Sequence, residues 1–163
     1  MAPIIRSIEP QDLPQAYSLI EDLIRHENVG RPLQLTLESM DRALFHPNAD
    51  WHGLVAAQNT ELIGICFYSF ANTSRLLNPT PLIYIDAFYI HSKYRKRGIG
   101  EQLFKELGKI AHESQIARIE LCCLKHNNIG QNFYQKLGIE KLNHIDVFRF
   151  DVNKLIPEFK SQD

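Results

Sequence analysis

The chain has 163 residues, of which 44% are hydrophobic and 23% charged, which describes one globular domain with room for a real core. Its formal net charge of −1 excludes a molecule that binds polyanions over its whole surface. Cys66, Cys122 and Cys123 are odd in number, and no apolar run suits a signal peptide or a membrane span, so a disulfide framework is not expected and a cytoplasmic location is.

Ile4 to Ile8 reads as a short strand, and Glu9-Pro10-Gln11-Asp12 opens a helix. Leu13, Ala16, Tyr17, Ile20, Leu23 and Ile24 recur at helical spacing and take it to about Arg25. After a loop over 26–32, Thr36 is placed to cap a second helix bearing Leu37, Met40, Ala43 and Leu44, which ends before Pro47. Leu54 to Ala57 and Leu62 to Phe70 are strands around a hairpin turn at Gln58-Asn59-Thr60-Glu61. A polar loop over 71–81 leads to an apolar strand, Leu82 to Ile90.

A basic turn, His91 to Gly100, joins that strand to a helix over Glu101 to Glu113 with Leu103, Phe104, Leu107, Ile110 and Ala111 inward. Arg118 to Leu124 is the next strand, a parallel neighbour of 82–90 through a helical crossover, with Cys122 and Cys123 expected in the core. Asn127-Asn128 opens a short helix with Phe133, Tyr134 and Leu137, closed by Gly138, and Val147 to Val152 is a last strand. The order βαα-ββ-βα-βα-β predicts an α/β fold with a mixed sheet, antiparallel in its first half and parallel at the crossover.

The turn at 91–100 is the strongest chemical signal. Lys93, Arg95, Lys96 and Arg97 surround Gly98-Ile99-Gly100 at the start of a helix, where unpaired amides and the helix dipole favour an anion. A dinucleotide fingerprint would need a third glycine where Leu103 stands, and a Walker loop would need Lys-Ser/Thr where Glu101-Gln102 follow. The basic tract is too short for nucleic acid, so a small phosphate-bearing ligand is expected.

Arg-x-x-Gly-x-Gly between a strand and a helix resembles the acyl-CoA pyrophosphate loop of the GNAT superfamily of N-acetyltransferases. Asn127-x-x-Gly130-x-x-x-Tyr134-x-x-x-Gly138 is similar to the later motif of that superfamily, with Gly130 where Ala is usual. Within it, Tyr84 to Phe88, Ser92 to Arg95, Gly98 to Gly100 and Asn132 to Tyr134 look closest to the diamine (spermidine/spermine) acetyltransferases and the thialysine acetyltransferases. The resemblance covers Ile4 to about Leu155 and implies a single N-acetyltransferase domain over 1–163. That domain would have a mostly antiparallel sheet flanked by helices and a parallel strand pair splayed at the acetyl-CoA site. It also implies a homodimer, acetyl-CoA as cosubstrate and no membrane or nucleic-acid partner.

Acetyl transfer to an amine requires a deprotonated amine, donors for the developing oxyanion and a proton for the leaving thiolate. By resemblance, the amides around Phe88, Tyr89 and Ile90 hold the cofactor arm. The loop amides of Arg95, Lys96, Arg97, Gly98, Ile99 and Gly100 hold the pyrophosphate, and Asn127 orients the arm. Tyr134 is the candidate general acid, since a phenol donates a proton while staying neutral at working pH. Asp86, in an otherwise apolar strand, stands where the diamine family has a catalytic acid, usually Glu, and Glu27 matches an acid that lines the amine site. The histidines lack paired metal-ligand spacing, so no metal is expected, and His91 and His126 are read as incidental.

Ala87 stands where the diamine enzymes have a second acid, and Leu142-Asn143 where they have an acidic pair. A long polyamine calls for several negative groups along its length, so fewer acids argue for a shorter or singly charged amine, such as a lysine-like or thialysine-like side chain. Acetylation of a protein or peptide, and a non-catalytic acyl-CoA-binding module, remain alternatives at this stage.

Overall fold

Among the described residues a five-stranded sheet in the order β1-β2-β3-β4-β5 carries the chain from Ile4 to Leu121. The computed structural model describes residues 2–28, 30–72 and 80–148, and the chain divides into two units, Met1–Asn128 and Ile129–Asp163. In the first unit β1 (Ile4–Ser7), β2 (Trp51–Gln58), β3 (Glu61–Ala71) and β4 (Leu82–Ile90) pair antiparallel in succession. β5 (Ile119–Leu121) joins β4 in parallel, which is the mixed α/β sheet expected.

Local sequence explains the element ends. Asn59 takes the left-handed conformation, φ 57°, at the β2–β3 turn, where an Asx residue is tolerated. Asp12 closes a 3₁₀ turn, Pro10–Asp12, by accepting from the Glu9 N–H and from both terminal nitrogens of the Arg6 guanidinium. Helix α1 (Leu13–Glu27) follows and ends two residues beyond Arg25, where Asn28 turns left-handed at φ 45°. Helix α2 (Leu37–Phe45) begins in the expected cap: the Ser39 N–H donates to Thr36 Oγ1 at 3.1 Å and the Thr36 N–H to Ser39 Oγ at 2.9 Å.

Helix α3 (Ile99–Glu113) packs on one face of the sheet. Its Leu103, Leu107 and Ala111 recur at i, i+4 and i+8 and bury against Leu54, Ala56, Cys66, Ile83 and Ile85. Helices α1 and α2 cover the other face, with Ala16, Leu19, Ile20, Leu23 and Met40 on Val55, Ile65, Phe67 and Tyr89. Full burial of each large side chain in these layers contributes about 2 kcal/mol. α3 starts two residues before the expected Glu101 because Ile99, only 3% exposed, is drawn into the core directly after the turn at Gly98.

Two expectations are corrected here. The strand predicted over 118–124 is β5 over Ile119–Leu121 only, since its pairing with β4 stops at Leu121. Cys122 and Cys123 therefore lie past the strand, exposed and half-buried, and only Cys66 is a core cysteine.

In the second unit, helix α4 (Asn128–Lys136) runs on from the end of the first, and Gly138 closes it at φ 75° with its N–H on the Gln135 carbonyl at 3.0 Å. The expected strand Val147 to Val152 is not formed at Val147 and Phe148, and its remaining residues lie outside the described ones. Among the described residues no helix is long and apolar enough to cross a membrane.

Candidate active site

The loop after β4 is built by two left-handed residues. A 3₁₀ turn, Ser92–Tyr94, is followed by Lys96 at φ 61° and Gly98 at φ 77°. The first helical bond of α3 runs from the Gln102 N–H to the Gly98 carbonyl at 3.0 Å. The amides of Ile99 and Gly100 thus belong to the opening turn, where donors point out of the helical ladder toward an anion. Nothing lies within 4 Å of the position a Gly98 Cβ would take, so the space above the turn is open.

The basic side chains divide the labour differently from the sequence expectation. Arg95 Nε donates to the Ile90 carbonyl at 3.0 Å, and its guanidinium lies 5.3 Å from the centroid of the Tyr89 ring. Arg97 stands 5.3 Å from the centre of the Tyr94 ring, whose hydroxyl donates to Glu61 at 2.7 Å. Both arginines brace the loop, Arg95 half-buried and Arg97 exposed, and Lys93 and Lys96 are exposed beside them.

The strand before the loop forks. Among the described residues β4 pairs with β5 only from Ile83↔Ile119 to Ile85↔Leu121, although β4 continues to Ile90. At the fork the β3–β4 register steps from Phe67↔Ala87 to Tyr68↔Ile85, so Asp86 is the extra residue of a β-bulge. Beyond it, the His91 N–H bonds the Ile63 carbonyl of β3 at 3.0 Å. By strand alternation the Tyr89 amide also faces β3, and the amides of Phe88 and Ile90 face the side that β5 has left. Tyr89 thus differs from its two neighbours. Its amide turns into the sheet and its ring, 7% exposed, packs under α1.

The bulge turns Asp86 out of the apolar run. Its carboxylate is open to solvent rather than sealed in the core, and Oδ2 accepts from Trp51 Nε1 at 3.0 Å and from Ser69 Oγ at 3.1 Å. Trp51 and Ser69 are themselves register partners across β2 and β3. The protein around the carboxylate still raises its pKa above the ordinary aspartate value; the two donors oppose that rise and the nearby Asp50 charge adds to it. Asp86, Asp50, Trp51, Ser69, Leu35 and Ala43 line a recess of about 350 Å³. Asp50, Trp51 and Ser69 were missed by sequence reading. Their signal was the hairpin, because counting back from its turn sets Trp51 opposite the Tyr68-Ser69 pair.

Glu27 is not in a loop but is the last residue of α1. Its carboxylate accepts from Asn127 Nδ2 at 3.1 Å, and its carbonyl lies 2.8 Å from His126 Nε2. The described structure thus brings Glu27 to Asn127 and His126, and Asp86 to Asp50. A second recess, about 300 Å³, lies by the C-terminal half of α1, between Arg25, His26 and the loop residues His91 and Arg95. Tyr134 sits in α4 of the second unit, its ring edge-on to Phe133 with centroids 5.5 Å apart.

At this end of the sheet a fork between two strands, a glycine turn, a helix start and a carboxylate on a bulge lie along β4 and the loop that follows it. The chain belongs to the Acetyltransferase (GNAT) family, whose profile matches residues 17–139. It is 26% identical over 162 residues to human spermidine/spermine N(1)-acetyltransferase-like protein 1, covering 93% of this chain and 23% of that longer protein. It is 24% identical over 160 residues to the bovine thialysine N-epsilon-acetyltransferase, covering 91% of this chain and 92% of the relative. Among solved structures, an integron cassette protein from V. cholerae shares the fold with a TM-score of 0.75 at 21% identity, over 99% of both chains. The aminoglycoside acetyltransferase AAC(6')-Iy, solved with a CoA-linked bisubstrate analogue, does so with a TM-score of 0.75 at 17% identity, over 93% of this chain and 99% of the other.

Proposed function

We propose that this acetyltransferase moves an acetyl group from acetyl-CoA to the primary amine of a small cationic substrate, polyamine-like or of the lysine and thialysine kind. The observation that carries the reading is the place of Asp86, on the bulge where β4 and β5 part and at the wall of a recess that also holds Asp50. An ammonium entering that recess meets two carboxylates, and Asp86 takes its proton, directly or through water. The freed amine then attacks the thioester without a covalent enzyme intermediate.

Acetyl-CoA supplies the activated acyl group. The amides of Phe88 and Ile90 would bind its arm, and those from Arg95 to Gly100, supported by Lys96, its pyrophosphate. The open space over Gly98 and the unladdered side of β4 fit such a ligand. Tyr134 protonates the leaving thiolate, and Asn127 acts through its bond to Glu27 to keep the end of α1 beside the fork. This role for Glu27 replaces direct contact with the amine. A homodimer and a cytosolic location belong to the same reading, on resemblance alone.

The test is release of free thiol from acetyl-CoA across a panel of mono-, di- and polyamines, thialysine and lysine. Saturable, amine-dependent release is expected. Binding of acetyl-CoA with no amine raising thiol release defeats the reading.

A further inference from the structure

Resting on the reading of Asp86 as proton acceptor, we propose that Trp51 and Ser69 are positioning residues, which together hold Oδ2 of the Asp86 carboxylate so that Oδ1 is the oxygen offered to the amine. Both donors, at 3.0 and 3.1 Å, converge on the same oxygen, and neither bond is made to Oδ1. A bulge residue lacks a cross-strand partner to set its direction. Here the direction comes from side chains of the two strands beside it. Trp51 is fixed in turn by stacking on the buried Phe67 ring, with centroids 4.6 Å apart and planes 28° from parallel. Ser69 is fixed by its register with Trp51 on one side and Tyr84 on the other. A carboxylate held through one oxygen loses the freedom to rotate its second away from the recess, which is how a supporting side chain improves a proton acceptor without touching substrate.

The same two bonds favour the ionised carboxylate, against its surroundings. Asp50 is the charged neighbour that disfavours it. Two titratable neighbours keep their charge near neutral pH: burial pushes the Cys66 thiol up to about 12 and the Tyr84 hydroxyl up to about 12. Glu120 on β5 acts on Tyr84 as Asp86 does. The lining residues from the α2 side, Leu35 and Ala43, carry no charge.

The experiment compares Trp51→Phe, which keeps the stacked ring and removes the N–H, with Ser69→Ala, and with Ser69→Thr, which keeps the hydroxyl. Two readouts are taken: carboxyl-carbon NMR titration of Asp86, assigned by its absence in Asp86→Asn, and the pH profile of kcat/KM for the amine. Loss of one donor to a carboxylate is expected to raise the Asp86 midpoint by about one pH unit. The acid limb of kcat/KM should move up with it. A fall of kcat by roughly tenfold is expected at neutral pH, with KM for acetyl-CoA unchanged. Ser69→Thr should restore both readouts. An Asp86 titration that does not move in either variant overturns that residue's share of the proposal, and failure of Ser69→Thr to restore it overturns the role of the hydroxyl. An Asp86→Ala enzyme with the wild-type acid limb would instead remove Asp86 as the proton acceptor, and the NMR titration would still decide the positioning.

Discussion

Asn127 donates its side-chain amide to the Glu27 carboxylate at 3.1 Å, joining the end of α1 to the turn before α4 across 100 positions of sequence. Because Glu27 acts here as an acceptor, Glu27→Gln, which retains a carbonyl oxygen, should leave the amine KM within about twofold of wild type. Glu27→Ala should lower stability by about 1 kcal/mol through loss of that bond. Steady-state kinetics and urea unfolding read the two effects. A large rise in amine KM for the Gln variant would mean that the charge itself meets the substrate.

Tyr134→Phe removes only the phenolic hydroxyl. Turnover should fall by about a hundredfold if that proton reaches the leaving thiolate. Acetyl-CoA affinity, measured by calorimetry, should stay at the wild-type value. Unchanged turnover takes Tyr134 out of the chemistry.

Gly98 adopts φ 77° with open space where a Cβ would be, so Gly98→Ala meets backbone strain and no clash. The cost of a left-handed alanine is about 1 kcal/mol. Relief of that strain by rotating the turn would misplace the α3 amides. KM for acetyl-CoA should therefore rise while KM for the amine does not.

Gly53→Ala is expected to fail for the opposite reason. A Cβ there would lie 2.7 Å from Phe67 Cε1 and 2.8 Å from Ile8 Cγ2, and the Phe67 ring is fully buried. Overpacking of this kind costs about 2 kcal/mol. Since Phe67 carries the Trp51 stack, activity should decline with the melting temperature.

Arg6 and Asp12 give a pH-dependent stability. The Arg6 guanidinium holds the Asp12 carboxyl below the ordinary carboxylate range, outweighing the effect of its burial, and the Glu9 N–H adds to the lowering. A depressed pKa contributes stability that is full above the ordinary value of 3.8 and is lost as pH falls through the lower folded value. Asp12→Ala should destabilise the protein by about 2 kcal/mol at pH 7. It should also flatten the acid end of the stability–pH curve, measured by denaturant titration from pH 7 downward.

Local chemistry was legible in the sequence wherever neighbouring residues decide the outcome. Helical spacing from Leu13 and from Leu103, the Thr36 cap, the Asn59 turn and the apolar run Leu82 to Ile90 each specify an element by its own period or end residue. The glycine turn at 98–100 and the motif from Asn127 to Gly138 carried the family, because strand, turn and helix start lie within one short stretch. Strand length at the fork was not legible, since Cys122, Cys123 and Leu124 are as apolar as a strand requires. What ended β5 at Leu121 was the loss of its pairing with β4.

The sequence by itself determined the order of elements as far as α4, the glycine turn between β4 and α3 and a carboxylate at position 86. Only the tertiary structure decided what that carboxylate faces. Asp86 is the extra residue of the β3–β4 bulge, and the register around it brings its carboxylate to Trp51 and Ser69, beside Asp50. Those partners come from two other strands and the segment before one of them. Their convergence depends on register, which a one-residue slip would invert and which no local pattern encodes.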